Sequence, residues 1–585
     1  MTTPTKSFED FNVDECLALY LQKRHDKVCQ QVFDILKHCN DTYYSSFGKE
    51  ALNAINSYVG FVFFLLSQES FRIPENWVPF FINASHLFSN LVTISEYKTS
   101  DNVIRTILNQ EGNYVKLLFL YDCRSKVVID HNALVTPNSK LATLWWNGFS
   151  TPIPGSTTEH IHTNLVQQYK NMPRNLELPD IRVQPGYFTC SYLGIDERPI
   201  KEWYNKQVKK FTSKIKIKNR PKKKRIAIIT DKWMPQTAVY KSSYPQIKAL
   251  AEKHDLTLVC SAQNNLSAID LSLFKRTFQI EISPHKIDLS AIENNDFGLA
   301  YFPDIGMTDD SVLLSNIKIA PIMVCGYGHP VSTYGSLVDY FIGGIDSERL
   351  DLYKDNYSEH LILIPGLGAH PVDPCYTRKN KPTTGITYIN CCWTTAKINW
   401  PMLCMLQRIQ ELAKVPVHYQ FFPSWTCTRY NNFPIITKEL TELFKGHVSI
   451  YPNLKYHDYL EKMEQATLSI DSHPFGGYNT VVDSFFTGCP VVTIEGTKFY
   501  NRASTALAKR VGVDLSTKSI EECQVKVLQL LNNQELLMEY RTKLNDTERL
   551  RQLLLDTDEP QYFVKAIDHI LARHPISNKD PIVIQ

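Results

Sequence analysis

Apolar positions in the first two hundred residues recur at helical rather than alternating spacing. In SFEDFNVDECLALYLQKR, Phe8, Phe11, Leu17, Leu19 and Tyr20 form a roughly helical stripe behind Ser7, a candidate N-cap. Residues 51–91 continue with apolar helical segments interrupted at Pro74. No 34-residue period emerges, so tetratricopeptide repeats are not expected. The pattern predicts an irregular, mostly α-helical N-terminal domain over residues 1–215. Its longest apolar stretch, Tyr58 to Leu66, falls short of the roughly 18 residues that span a bilayer. A buried helix is expected there, and no transmembrane segment.

From Ile226 the texture changes. Short apolar runs at 226–230, 256–260, 299–306, 321–328, 340–345 and 361–366 alternate with helical segments such as 244–254. After a proline-rich patch around Pro371, Pro374 and Pro382, the rhythm restarts at 385–392, 415–422, 447–452, 466–471 and 489–496. That alternation belongs to parallel, doubly wound sheets. An α/β class with two tandem Rossmann-like domains follows, one over 216–375 and one over 376–585. Ligands in such sheets bind beyond the carboxyl ends of the strands. The basic tract from Lys206 to Arg225 reads as a solvated linker, or as a contact for nucleic acid or anionic lipid.

Composition narrows the class. Of 585 residues, 63 are Lys or Arg and 60 are Asp or Glu; a net charge of +3 argues against a surface built to coat nucleic acid. Fourteen cysteines include the pair Cys391 and Cys392, but no Cys-X-X-Cys, so no zinc ribbon or thioredoxin-like site is written here. Free thiols and an acidic, non-apolar N-terminus point to the cytoplasm.

The segment with most chemistry is 466–496. A strand ending at Asp471 leads into a turn bearing Gly476 and Gly477, then a helix starting near Asn479 and Thr480 and stopping at Gly488. Such a turn aims backbone N–H groups and a helix dipole at an anion, and a diphosphate fits it. Asp483, one turn after Asn479, suits ribose hydroxyls. The alternative is a tight βα turn in a core. Lys397 precedes a helix whose first turn holds Pro401; it can neutralise a departing diphosphate, or be a surface lysine.

Residues 301–346 resemble the bacterial cytoplasmic N-glycosyltransferases that modify adhesins, relatives of O-GlcNAc transferase in glycosyltransferase family 41. The resemblance rests on Ser315, Asn316, Ala320, Pro321, Gly328, His329, Pro330, Asp339 and Tyr340. It continues in TTAK ending at Lys397, in YHDYL with His457, and in PFGGYNTVVD with Asn479 and Asp483. It covers residues 226–500 and implies a GT-B fold and inverting transfer of a hexose, glucose first, from a UDP-sugar to Asn in Asn-X-Ser/Thr. The implied acceptor is a protein such as an adhesin before export, with no cofactor, no catalytic metal and no nucleic-acid partner. It places Lys397 on the diphosphate, His457 beside the uracil, and Asn479, Thr480 and Asp483 on the nucleotide. His329, read by itself as a candidate catalytic residue, polarises an acceptor or a phosphate, or caps a turn.

The chain departs from that pattern in the segment Tyr240, Lys241, Ser242, Ser243, Tyr244, where Ser243 stands for a histidine, and at Trp425, which stands for a glutamine. Tyr240, Ser243 and Trp425 are therefore candidates for sugar or acceptor selectivity, expected to line a cleft. O-linked transfer, to Ser/Thr or to an existing glycan, and a non-catalytic UDP-sugar-binding adaptor are the competing functions. Asp556-Thr557-Asp558 is the one Asp-X-Asp, expected in a loop at a helix end. His160 and His162 are expected in a polar loop rather than on zinc.

Overall fold

The structure is a computed structural model that describes residues 7–149, 155–379, 385–555, 558–578 and 580–585; the side chains of Glu9 and Trp425 fall outside that set. Asp556 and Thr557 also lie outside it, so the Asp-X-Asp candidate is represented by Asp558 alone. The chain divides into two compact units.

One unit comprises Met1–Pro179, Trp393–Cys404 and Phe421–Asn453. Helix His25–Asp41 buries Val28, Val32, Ile35, Leu36 and Cys39, the three- and four-residue spacing of one apolar face. Helix Lys49–Ser67 is long and apolar enough to cross a bilayer by length and composition. Within the unit it buries Ile55, Tyr58, Val59, Val62, Leu65 and Leu66, and the Tyr58 hydroxyl donates to Val32 O at 2.9 Å. Pro74 lies in the break before helix Val78–Ile94. These helices hold the two later segments. Asn90 donates to Tyr430 O at 2.8 Å, Asn431 to Cys39 O at 3.2 Å, and Thr157 to the Glu439 carboxylate at 2.6 Å.

Two local expectations change here. Asn12, not Ser7, caps the first α-helix, Val13–Leu21, by accepting the Glu15 N–H; Ser7 caps only the preceding 3₁₀ turn. His160 and His162 sit in helix Glu159–Lys170 rather than a loop, because Thr158 caps it through the Ile161 N–H. There His162 Nδ1 meets Ser156 Oγ at 3.1 Å and His160 Nε2 lies 3.2 Å from Arg124 O.

The other unit comprises Asp180–Cys392, Met405–Gln420 and Leu454–Gln585. Its larger sheet takes β1 (Lys218–Ile229), β2 (Asp255–Ser261), β3 (Arg276–Ser283), β4 (Lys286–Asp288), β5 (Asn294–Phe302), β6 (Ile322–Cys325), β7 (Tyr340–Gly344) and β8 (His360–Ile364). Next along the chain are β9 (Thr387–Cys391), β10 (Val417–Phe421), β11 (Val448–Ile450), β12 (Leu468–Ile470), β13 (Val491–Ile494), β14 (Ser516–Thr517) and β15 (Ile582–Val583). The nine-stranded sheet runs β15-β8-β7-β6-β5-β1-β2-β3-β4, parallel throughout except for the β3–β4 pair. Its order reverses between β5 and β1. The second sheet contributes β10-β9-β12-β13-β14 to this unit and reverses between β9 and β12.

Ile226, Ile228, Leu258, Leu299, Val324, Ile342 and Ile362 fill the core of the larger sheet, with Phe563, Val564, Ile567 and Ile570 of helix Glu559–Arg573 packed among them. β15 then pairs with β8. The last helix and strand thus join the first sheet, although they follow the strands of the second. The basic tract is not a linker. Residues to Thr212 end helix Arg198–Thr212, and Lys218–Arg225 form the exposed half of β1, paired with β5 from Lys218 opposite Asn294.

Candidate functional site

β12 ends at Ile470, and Asp471 organises the turn behind it. Its Oδ1 accepts the N–H groups of Ser472 and Gly477, each at 2.8 Å, while the Gly476 N–H donates to Tyr500 O at 2.8 Å. A Cβ on Gly477 would stand 2.3 Å from Thr480 Oγ1, and one on Gly476 2.8 Å from Asp471 Oδ2, so the tight turn requires glycine at both. Here the sequence expectation is corrected. Both glycine N–H groups are consumed inside the loop and neither is offered to a phosphate. The first intrahelical bonds run from the Val481 and Val482 N–H groups to Tyr478 O, so the N–H groups of Asn479 and Thr480 stand ahead of the helix's own hydrogen-bond ladder. The helix is Asn479–Phe486, its N-cap is Tyr478 rather than Asn479 or Thr480, and no side chain caps it. Its positive end is therefore open to an anion. At the other end Gly488, at φ +78°, closes the helix, and the Arg378 guanidinium binds the Phe485 and Phe486 carbonyls at 2.8 Å each.

Asp483 faces the same way one turn further on. It is 6 % exposed, and the Tyr456 hydroxyl donates to its Oδ1 at 2.5 Å. Burial pushes its carboxyl up to about 6, against the lowering effect of Lys241 and of the Tyr456 and Tyr459 hydroxyls. The Lys241 ammonium lies 3.2 Å from the centroid of the Tyr456 ring. Burial lowers the Lys241 amine and Asp483 opposes that. Cys392, next after β9, has its thiol raised chiefly by burial, with Asp483 adding to it. Asp483 is thus set beyond the ends of β9 and β12, the neighbours at which the sheet order reverses.

Asn479 reaches the Ala238 carbonyl at 3.1 Å, at the start of helix Ala238–Lys253. That helix carries Lys241 and contains Pro245, which has no N–H for the Lys241 carbonyl; the Val372 N–H takes its place at 3.1 Å. His457, on helix Tyr456–Glu464, has a 62 % exposed side chain with Nδ1 3.2 Å from Glu461 Oε1, and its ring meets Tyr376 edge-on at 5.7 Å.

His329 occupies a different setting. It is 3 % exposed and stacks on Phe188 at 5.1 Å and Phe475 at 6.0 Å. Its Nδ1 lies 2.9 Å from Ile305 O, and its Nε2 has no hydrogen-bond partner among the described residues. Burial, reinforced by Lys201, pulls the imidazole down to about 3, so the ring is neutral at pH 7, with Nδ1 donating and Nε2 presenting a lone pair. Asn316 and Asp339 hold structure: Asn316 donates to Asn205 Oδ1 at 2.7 Å and Asp339 accepts the Met323 N–H at 2.8 Å.

Ser243 is buried, its hydroxyl bonded to the Val239 carbonyl of its own helix. Tyr240 donates to Asp270 at 2.7 Å and stacks on Tyr244 at 4.7 Å. Lys397 belongs to the helical unit, in the 3₁₀ turn Thr395–Lys397 ahead of helix Trp400–Leu412. That turn is pinned to the N-terminal helices: the Ser156 N–H donates to Ile398 O at 2.9 Å, and Gly155 approaches so closely that a Cβ would lie 2.8 Å from Thr395 O. Trp425 opens the 3₁₀ helix Trp425–Asn431 of the same unit. Sequence reasoning missed Lys241 and Tyr456. Both lie inside segments it had singled out, but each neighbours the residue that the resemblance favoured.

Similar proteins are found by sequence and by fold. The chain is 20 % identical over 549 residues to a UDP-glucose:protein N-beta-glucosyltransferase of Actinobacillus pleuropneumoniae serotype 5b, covering 86 % of each chain. A second such enzyme, from serotype 7, is 25 % identical over 48 % of this chain and 46 % of its own length. The Arabidopsis thaliana probable UDP-N-acetylglucosamine–peptide N-acetylglucosaminyltransferase SPINDLY is 24 % identical over 39 % of this chain and 25 % of its own. Among solved structures, a mutant O-GlcNAc transferase of Thermobaculum terrenum superposes with a TM-score of 0.55 at 15 % identity, covering 85 % of this chain and 97 % of that one. No model of a protein family matches.

The fold class is that of a GT-B glycosyltransferase: parallel α/β sheets behind a helical N-terminal region. The chain is similar in sequence to two bacterial UDP-glucose:protein N-beta-glucosyltransferases and in fold to an O-GlcNAc transferase.

Proposed function

We propose that this protein transfers a hexose, glucose in the first instance, from a UDP-sugar to the side-chain nitrogen of Asn in Asn-X-Ser/Thr of a protein acceptor. The transfer inverts the anomeric carbon and uses no catalytic metal or other cofactor. The observation that carries the reading is the pairing of an open helix N-terminus at Asn479 and Thr480 with the buried carboxylate of Asp483 at the switch point of the second sheet. The first suits a diphosphate and the second suits ribose hydroxyls. The name and 86 % coverage of the Actinobacillus relative support the donor and the protein acceptor. A cytoplasmic setting, and an adhesin met before export, complete the proposal.

The acceptor amide nitrogen bonds to the anomeric carbon as the bond to the β-phosphate oxygen breaks; the nitrogen gives up one N–H proton to the departing phosphate or to solvent, and negative charge gathers on the UDP. Lys397 is the cation assigned to that charge, His457 the residue assigned to the uracil. His329 is a poor general base, since an imidazole lowered to about 3 holds little proton affinity at pH 7. Its assigned role is to accept a hydrogen bond through Nε2. Transfer to a Ser or Thr oxygen is the second reading, favoured by the kinship with the plant transferase.

A nucleotide preference tests the donor assignment. UDP is expected to raise the melting temperature more than GDP at equal concentration, because a ligand selective for the native state stabilises it by mass action. Equal shifts would remove the uridine assignment.

A further inference from the structure

Asp483 and Lys241 lie about 240 residues apart in sequence, on helices packed beside different sheets, yet they meet at one phenol ring. The Tyr456 hydroxyl donates to Asp483 Oδ1 at 2.5 Å, and the Lys241 ammonium sits 3.2 Å from the centre of the Tyr456 ring. Two anchors hold the Lys241 helix there, Asn479 on the Ala238 carbonyl and Val372 on the Lys241 carbonyl. We propose that Lys241 is a positioning residue for the donor nucleotide, keeping Asp483 ionised so that the carboxylate can accept two ribose hydroxyls. The proposal rests on the reading of Asp483 as the ribose partner.

The physical requirement is plain. A carboxylate 6 % exposed pays a desolvation cost that favours its protonated form. A protonated carboxyl is uncharged and presents an O–H where the carboxylate presents a second acceptor oxygen, so it holds the two hydroxyls of a ribose less strongly. Asp483 faces Lys241 from one helix, Tyr456 and Tyr459 from another, and Cys392 from the loop after β9. Tyr456 in turn faces Asp373 and Cys375. Of these groups Lys241 alone is cationic. Its effect opposes burial, and the carboxyl stands at about 6 as a result.

The sign follows. UDP binding is strong where Asp483 is ionised and weakens as pH falls through about 6. Removing the cation moves that midpoint upward, by roughly 1 unit for the loss of a neighbouring opposite charge. The test is UDP affinity by titration calorimetry from pH 5 to 9 for the full-length protein and for Lys241→Met and Lys241→Arg, with melting temperatures recorded alongside. The expected result is UDP binding about twofold weaker for Lys241→Met at pH 7 and about tenfold weaker at pH 5, converging on the parent toward pH 9, with Lys241→Arg close to the parent throughout. A Lys241→Met profile parallel to the parent's at every pH overturns the proposal. Failure of the parent protein to bind UDP, or UDP affinity insensitive to Asp483→Asn, instead removes the ribose reading beneath it.

Discussion

Asp483→Asn is expected to cut kcat/KM for the UDP-sugar by roughly 10²-fold, through loss of a charged acceptor for the ribose hydroxyls. Hydrogen bonds to charged groups are worth about 1.5–3 kcal/mol, so one or two of them cover that range. The fold is expected to survive. Burial raises the Asp483 carboxyl from its ordinary value to about 6, so the native state binds that proton more tightly than the unfolded chain. The stability associated with this group is then fully present below its ordinary value and lost as pH rises through about 6. A neutral amide of the same shape relieves that loss at pH 7, and the melting temperature is expected to hold or rise there. Steady-state kinetics with a thermal scan checks both halves. A variant that falls apart, or one with parental kcat/KM, would remove Asp483 from the nucleotide site.

Lys397→Ala is the second large effect. Charge on the phosphate oxygens is greatest as the glycosidic bond breaks, so a fixed cation contributes more in the transition state than in the ground state. Loss of a comparable charge-stabilising donor costs about 10²–10³-fold in kcat, and that range is expected here. The turn bearing Lys397 is held through its main chain, the Lys397 N–H donating to Thr394 O at 2.8 Å and the Asn399 side-chain amide donating to Lys397 O at 3.0 Å. Truncating the side chain leaves those bonds in place, so binding of UDP is expected to change far less than kcat. Single-turnover measurements separate the two. A variant with parental kcat would assign the leaving-group charge elsewhere.

The central strands were legible because each is a short apolar run buried on both faces: the second half of β1, with β2 and β5 to β8, carries the apolar runs of the sequence pattern. β3 has most of its residues half exposed and carries no such run, and β14 and β15 span two residues each, too short for any period to register. The charged half of β1 escaped notice because its residues face solvent while their backbone pairs with β5. In the site, the end of the helix at Gly488 could be read from turn chemistry, whereas its N-cap, Tyr478, could not, because no side chain caps it. The spending of both glycine N–H groups inside the loop could not, since it depends on Asp471 and Tyr500 closing over them. Lys241 was invisible for a related reason: its partner lies on a helix beside another sheet, and no local spacing encodes that contact.

The transfer itself is tested most directly by mass spectrometry of a peptide carrying one Asn-X-Thr site, after incubation of the full-length protein with UDP-glucose. The expected product is the peptide bearing one hexose, with fragmentation placing it on the Asn side chain and UDP released in equal amount. A peptide modified on Thr would contradict the N-linked assignment. A peptide left unmodified with every UDP-hexose tried, while UDP still binds, would contradict the enzyme.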